Sequence, residues 1–262
     1  MLSSSGRGWP DGGEWVLQPK WDGFRLLVEV GSGGVRAWSR HATNLTDRLS
    51  GLLEHFVDAA SDTVFDGELV AIGERDGRPA QDFAAVTRAV FAGKVGGARL
   101  QFVAFDILRH AGEDVRPLPW RDRDARLRDA LPVSDRVRLI SNKAATPAAH
   151  AAIIALGFEG SVLKRPCSIY RPGRHSSWVK HKARRSTPGL LSAVYQARDG
   201  TWQATCQVDG RRVRALAGPG ARDLVGSTVD IVYSRIDADG GLREARVAIC
   251  PRTAGAGLRS LS

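Results

Sequence analysis

A lysine near the start of the chain stands beside a tight turn, in the segment QPKWDGFR at residues 18–25. A lysine amine attacks phosphorus only after it has lost its proton, and a neighbouring cation such as Arg25, or a bound metal, favours the neutral amine. Lys20 is therefore a candidate nucleophile. Taken alone, the segment is more simply interpreted as a hairpin turn with surface charges on either side. Asp-Gly is a common hairpin turn, and flanking Lys and Arg side chains are commonly solvated.

Two carboxylates lie within apolar runs that are typical of buried strands. Glu68 belongs to FDGEL at 65–69, and Glu159 belongs to FEGSVLK at 158–164, which ends in Lys164. A charge among apolar neighbours is costly unless it is paired or bound to metal. Two carboxylates and several lysines would together hold Mg²⁺ and a triphosphate. For either segment alone, a structural salt bridge is the favoured interpretation.

A third cluster, SIYRPGRHSSWVKHK at 168–182, ends in two lysines that alternate with Val179 and His181. Because side chains alternate along a strand, Lys180 and Lys182 would point to the same side. Two aligned ammonium groups can clamp a phosphate. The alternative is a pair of solvated lysines that protect an edge strand.

The elements that must position these residues form a mixed α and β pattern. The expected strands lie at 15–19 and 24–30, as a pair around the turn at 21–23, and at 35–39, 63–72 and 100–108. Apolar spacing predicts a helix over about 47–60 with Thr46 as its cap, and a second helix from Pro147 to a C-cap at Gly157. This order argues against a regular parallel βαβ fold.

A break in the pattern occurs at RRSTPG, residues 184–189, and only short strand-like runs follow it. They lie at about 190–197, 201–208, 211–217, 228–236 and 242–250. Five short strands predict a small barrel, and an OB-fold has that strand count. The expected domains are therefore residues 1–186 and 187–262.

The bulk composition is that of an ordinary globular protein of 262 residues with net charge +10. A basic excess favours a polyanionic partner such as nucleic acid, although a generally arginine-rich surface would give the same count. No apolar run approaches a membrane span or a secretory signal, so a cytoplasmic protein without membrane association is expected. The spacing of Cys167, Cys206 and Cys250 suits neither zinc nor a redox pair, which predicts structural thiols.

Taken together, these segments resemble the covalent nucleotidyltransferases, and within them the ATP-dependent DNA ligases, particularly the small bacterial enzymes of end-joining repair. The resemblance covers roughly residues 14–250 and rests on several motifs in order. It implies an α+β fold: an ATP-grasp-like adenylation domain of antiparallel sheets with helices, then an OB-fold barrel. It also implies ATP and Mg²⁺, or Mn²⁺ in its place, and a monomer that binds nicks or ends in duplex DNA alongside end-joining repair proteins.

The resemblance assigns the chemistry to particular residues. Lys20 would carry AMP between ATP and a DNA 5′-phosphate, and Arg25 would contact the nucleotide or the DNA phosphate. Glu68 and Glu159 would supply carboxylates for metal and ribose. Lys180 and Lys182 would contact the phosphates of the nucleotide.

Further residues follow from the same resemblance. Phe105, in VAFD at 103–106, would stack on adenine, Lys164 would add positive charge, and Gln18 stands where many relatives carry a glutamate near the adenine edge. The residues expected to contact DNA are Arg40, Arg174, Arg184 and Arg185, of which Arg40 would also contact nucleotide. The basic motif that ends the OB domain of relatives is missing here, and Arg252, then Arg246, are the candidates for its role.

The expected reaction is the sealing of 5′-phosphate/3′-hydroxyl breaks through a lysyl-AMP and a DNA-adenylate. An RNA ligase or an RNA-capping nucleotidyltransferase shares the Lys-x-Asp-Gly core and is the nearest alternative. An NAD-dependent ligase is disfavoured because the chain lacks a cysteine-rich zinc module. A non-catalytic DNA-end-binding module is the alternative from a different class.

Overall fold

The computed structural model describes residues 1–5, 9–10, 12–75, 78–92, 99–236 and 241–248. The chain divides into two compact units, Met1–Ala183 and Arg184–Ser262. The division lies shortly before the boundary expected after Ser186. Within the described ranges, no helix is both long enough and apolar enough to cross a membrane.

The first unit combines many strands with a few short helices. Its described strands are β1 (Leu2–Ser5), β2 (Val16–Lys20), β3 (Phe24–Gly31), β4 (Gly34–Ser39), β5 (Thr63–Arg75), β6 (Arg78–Gln81), β7 (Arg99–His110), β8 (Glu113–Asp114), β9 (Val137–Leu139), β10 (Lys143–Ala144), β11 (Gly160–Lys164) and β12 (Arg174–Lys182). Its described helices are α1 (Ser50–Leu53), α2 (Phe83–Ala92), α3 (Trp120–Ala130) and α4 (Pro147–Ala155), with 3₁₀ turns at Asp47–Leu49 and Glu54–Phe56.

These strands form two sheets that meet at the turn after Lys20. One sheet has the order β1-β12-β11-β2-β10, and the other has the order β4-β3-β5-β7-β8, with β6 on β5 and β9 on β7. The predicted pairing of the strands on either side of the turn at 21–23 is wrong. Strand β2 pairs with β11, and β3 pairs with β4 and β5, so the turn carries the chain from one sheet to the other.

The crossing between the sheets depends on Gly23. A Cβ at this position would collide with the Leu69 carbonyl oxygen and would lie 2.7 Å from Cγ of Glu68. Only glycine lets the two segments approach so closely. The glycine of the Lys-x-Asp-Gly motif therefore sets the spacing between Lys20 and Glu68.

The helix predicted over 47–60 is shorter and less regular than expected. It runs from Asp47 to Phe56 as a 3₁₀ turn, α1 and a second 3₁₀ turn. Thr46 does not cap it, because the Thr46 hydroxyl accepts the Ala37 N–H at 3.1 Å instead. The apolar face is buried as predicted, except for Val57, whose side chain is exposed.

The second predicted helix is confirmed as α4. The Thr146 hydroxyl accepts the Ala149 N–H at 3.1 Å, and Pro147 is the first helical residue. The chain then leaves the helix through Gly157, whose φ of +87° is the left-handed conformation that a glycine C-cap adopts. The helix delivers the chain to Glu159 and β11.

The second unit is a small barrel, as predicted. Its described strands are β13 (Arg185–Gln196), β14 (Trp202–Val208), β15 (Arg211–Leu216), β16 (Thr228–Tyr233), β17 (Arg235–Ile236), β18 (Leu242–Arg243) and β19 (Arg246–Ala248). The barrel closes in the order β13-β14-β15-β19-β16. Cys206 is buried in its core, as expected of a structural thiol, whereas Cys167 of the first unit is exposed and does not fit that expectation. Cys250 lies outside the described residues.

Candidate nucleotide and phosphate site

Lys20 ends β2 and lies within an ion-paired cluster. Its ammonium contacts Oε2 of Glu159, while Nζ of Lys182 lies 3.0 Å from Oε1 of the same carboxylate. The Glu159 N–H also donates to the Lys20 carbonyl oxygen at 3.2 Å. One carboxylate therefore holds the candidate nucleophile and a candidate phosphate ligand together. An amine held in this way must lose its proton before it can attack.

Gly160 explains why Glu159 reaches Lys20. This glycine opens β11 opposite both Lys20 on β2 and Lys182 on β12. A Cβ here would collide with the His181 carbonyl oxygen and would lie 2.7 Å from Cα of Lys182. The Glu-Gly motif is thus a packing requirement that brings the three charged side chains together.

Glu68 approaches Lys20 from the other sheet. It lies on β5 between Arg25 of β3 and Val103 of β7, and it lines the space beside Lys20. Burial raises the pKa of its carboxyl to about 7, and the nearby charges of Lys20 and Arg25 only partly oppose that rise. The carboxyl of Glu68 therefore changes charge near neutral pH.

Arg25 is held by partners that the sequence did not reveal. Its guanidinium donates to Asp66 twice, at 2.9 and 2.5 Å, and to the Tyr170 hydroxyl at 2.8 Å. Tyr170 in turn donates to Asp66 at 2.9 Å. The Arg25 fork is therefore directed at Asp66, although the residue still lines the space beside Lys20. Both partners lie in the motifs noted above, but nothing in the sequence indicates that they meet.

A β-bulge aims Phe105 into the site. Asp106 pairs with Asp66 and Ala104 pairs with Gly67, so Phe105 is an extra residue on β7. Bulges re-aim side chains in this way. The fully buried Arg123 of α3 fixes the bulge by donating to both oxygens of Asp106, at 2.8 and 2.9 Å.

Beside Lys20 lies a cavity of about 140 Å³ with a largely apolar lining. Phe105 lies 6.0 Å from Trp178, ring centre to ring centre, in an edge-to-face arrangement. The other lining residues with a bearing on ligand chemistry are Gln18, Glu68, Ile140, Val162 and Lys164. Gln18 is buried, and its amide donates to Asn142 at 2.8 Å. A cavity with aromatic walls and an amide at one edge suits a flat heterocyclic base.

Lys164 is enclosed by the walls of this cavity. Its Nζ lies 3.8 Å from the centre of the Trp178 ring and 4.8 Å from that of Phe105, and it donates to the Phe105 carbonyl oxygen at 2.8 Å. Burial lowers its pKa to about 7. Lys164 was expected to add positive charge to the site, and the structure places its ammonium against the aromatic rings.

A larger groove of about 620 Å³ also borders Lys20 and shares part of its lining with the cavity. Its lining includes Arg40, which follows β4, Arg174, which begins β12, and Lys180. Partial burial and the charges of Lys182 and Lys20 lower the pKa of Lys180. As the alternation predicts, Lys180 and Lys182 lie on the face of β12 toward Lys20. So many cations around one groove favour a polyanionic ligand.

The remaining predicted residues are not part of this site as described. Arg184, Arg185 and Arg246 are exposed residues of the second unit. Arg252 lies outside the described residues. Their expected roles in DNA binding and adenylation stay predictions.

The carboxylates fit a magnesium ion that arrives with phosphates. In the part of the chain that the structure describes, no three His, Cys, Asp or Glu side chains form a metal cluster. Glu159 and Glu68 both face the Lys20 ammonium. Mg²⁺ commonly takes one or two protein carboxylates and completes its coordination with water and substrate phosphates. This donor set meets that requirement.

Comparison with known proteins gives a consistent result. A family model described as ATP dependent DNA ligase domain matches residues 10–182. The chain is 36% identical over 177 residues to the multifunctional non-homologous end joining protein LigD of Pseudomonas aeruginosa. The aligned region covers 66% of this chain and 20% of that protein. It is 32% identical over 230 residues to a probable DNA ligase of Streptomyces griseus, and the aligned region covers 82% of this chain and 44% of that protein. The chain spans less than half the length of either curated relative.

The fold is also that of a solved structure. The crystal structure of the ligase domain of LigD from M. tuberculosis matches with a TM-score of 0.59 at 22% identity. The match covers 94% of this chain and 92% of that domain. The predicted combination of a mixed α+β unit and a closed barrel is therefore confirmed.

Proposed function

Because this chain belongs to the family of ATP-dependent DNA ligase domains, we propose that it seals 5′-phosphate/3′-hydroxyl breaks in duplex DNA through AMP carried on Lys20. The observation that carries the proposal is that Lys20, ion-paired with Glu159 beside Lys182, lines both a cavity suited to a base and a groove lined with cations. The first space suits the adenine of ATP, and the second suits DNA.

In the first step, the neutral amine of Lys20 attacks the α-phosphorus of ATP. A nitrogen–phosphorus bond forms, the bond to the pyrophosphate oxygen breaks, and the amine proton passes to solvent. Glu159 orients the amine, while Phe105 and Gln18 hold the base. A Mg²⁺ bound by Glu68 and Glu159 would supply neutralisation of the phosphate charge.

In the second step, an oxygen of the DNA 5′-phosphate attacks the phosphorus of the lysine-bound AMP. The nitrogen–phosphorus bond breaks, and Lys20 recovers a proton. In the third step, the 3′-hydroxyl attacks the activated 5′-phosphorus and a phosphodiester forms. The bond from that phosphorus to the AMP oxygen breaks, AMP leaves, and the hydroxyl proton passes to solvent. Such transfers depend mainly on positioning and charge neutralisation, which Lys180, Lys182 and Arg40 would provide.

The likeness to proteins named as DNA ligases and end-joining proteins supports DNA over RNA as the substrate. It also supports a role in the repair of DNA breaks alongside other end-joining proteins. The position of Lys20 on both the base-sized cavity and the cation-lined groove supports catalysis over a purely end-binding role.

Labelling of Lys20 tests the proposal. After incubation with ATP and Mg²⁺, peptide mass spectrometry should find one AMP on Lys20, and parallel reactions with GTP and NAD should show little labelling. Lys20→Ala should abolish the adduct, and so should Lys20→Arg, because a guanidinium stays protonated. Lys143→Ala, which removes an exposed lysine from neighbouring β10, should label normally. An adduct on Lys20→Ala, or none on the wild type, would refute the assignment.

A further inference from the structure

Phe91 places an exposed aromatic ring on the rim of the basic groove. It is the penultimate residue of α2, its side chain is 66% exposed, and it lines the 620 Å³ groove with Lys20 and Arg40. A single exposed apolar residue is ordinary on a protein surface. This ring differs because the groove around it is otherwise rich in cations.

The Phe91 ring and the end of α2 are held in place by neighbouring residues. Phe24, which follows Gly23, meets Phe91 edge-on with ring centres 6.0 Å apart and is itself packed against the core. Arg48 donates to the Val90 carbonyl oxygen and so ties the last turn of α2 to the wall of the groove. Part of the support for Phe91 therefore comes from Phe24, in the segment that presents the nucleophile.

The surroundings of the ring indicate the chemistry of its ligand. Arg40, Arg48, Arg174 and Lys180 would neutralise phosphates, and such contacts position a nucleic acid without reading its bases. An aromatic ring among them has a different use, because it can pack against the face of a base or a sugar. In continuous duplex the base pairs are stacked and joined on both strands. At a break one strand is no longer joined, so the terminal bases are easier to unstack.

We propose that Phe91 packs against the base or deoxyribose next to the break and so makes the protein bind broken duplex more tightly than continuous duplex. This inference rests on the proposed function, since it takes DNA as the occupant of the groove. It assigns the cations to affinity and the ring to the recognition of the break.

Binding measurements on the full chain test this role. With a nicked duplex and a continuous duplex of the same sequence, Phe91→Ala should weaken binding to the nicked duplex about tenfold, the size of a lost stacking contact, and should change binding to the continuous duplex little. The slope of log affinity against log salt should stay the same, because no phosphate contact is removed.

Three further variants separate recognition of the break from general damage to the protein. Phe91→Trp should retain the preference for the nicked duplex, because it keeps a flat ring, and Phe91→Leu should lose much of it. Leu156→Ala removes another large exposed apolar side chain that lines neither the cavity nor the groove, and it should bind both duplexes like the wild type. Equal weakening of both duplexes by Phe91→Ala, or a shallower salt slope, would overturn the inference.

Lysine labelling and nick sealing by the same preparations keep the two proposals apart. Failure of the wild type to label Lys20 or to seal a nick would refute the proposed function whatever Phe91 does. The role of Phe91 alone would be refuted if the wild type labels and seals while Phe91→Ala prefers nicked over continuous duplex as strongly as the wild type does.

Discussion

Glu68 is a residue through which pH acts on the site, since its pKa, like that of Lys164, lies near neutrality. Its side chain lies between the two sheets, where burial disfavours the carboxylate and raises the pKa from 4.5 to about 7. In the unfolded chain the carboxyl regains its ordinary pKa. Between these two values the folded protein keeps a proton that the unfolded chain has lost, so a rise in pH across this window favours unfolding.

We therefore expect Glu68→Gln to gain stability relative to the wild type as the pH rises from 4.5 to about 7, with no further relative change above that range. Denaturant titrations of the two proteins at several pH values measure the difference. Glu54→Gln, at an exposed glutamate of the same unit, is the matched control. A difference between wild type and Glu68→Gln that does not vary with pH would contradict the raised pKa of this carboxyl.

At this scale the sequence predicted the charged groups but not all of their partners. Lys20 and Glu159 come together as their motifs indicate, because residue type and spacing carry that signal. The Arg25 network escaped notice because Asp66 and Tyr170 lie 41 and 145 residues away from Arg25 along the chain. Only the fold brings them into contact. The bulge that aims Phe105 is likewise a matter of strand register, which the alternation of side chains does not specify.

Among the elements, the β11–β12 pair determines the geometry of the phosphate site. It places Glu159 between Lys20 and Lys182, and it depends on the close approach of the two strands at Gly160. The sequence predicted α4 and the barrel strands well, because caps, turns and apolar spacing are local signals. It failed for the β2–β3 pair, because a turn that joins two sheets and one that closes a hairpin have the same local sequence.

Gly160→Ala should destabilise the protein by about 1–3 kcal/mol, the usual cost of overpacking, since the added methyl group meets backbone atoms that cannot move aside. Lysine labelling should fall as well, because the strands that carry Glu159 and Lys182 must separate. Thermal unfolding and labelling with ATP measure both effects. Gly51→Ala, where a Cβ meets nothing within 4 Å, is the matched control and should fold and label normally. Normal stability of Gly160→Ala would show that the close approach is not required.

For the whole molecule, the net charge of +10 and the cation-lined groove point to the same polyanionic partner. Composition alone could not decide whether that charge was concentrated or spread over the surface. The structure gathers several of the cations around Lys20, next to a cavity that suits a base. Because Lys20 lines both spaces, the central claim is the proposed transfer of AMP from ATP to DNA by this one lysine.

A single-turnover chase tests that claim most directly. Protein carrying radiolabelled AMP on Lys20 is freed of ATP and mixed with a duplex that contains one 5′-phosphorylated nick. We expect the label to leave the protein and appear as free AMP as the strands join, with no more joints formed than adducts supplied. A nick with a 5′-hydroxyl should release no label, because it has no 5′-phosphate oxygen that could attack the lysine-bound AMP. Label that stays on the protein while the 5′-phosphorylated nick remains open would contradict the claim.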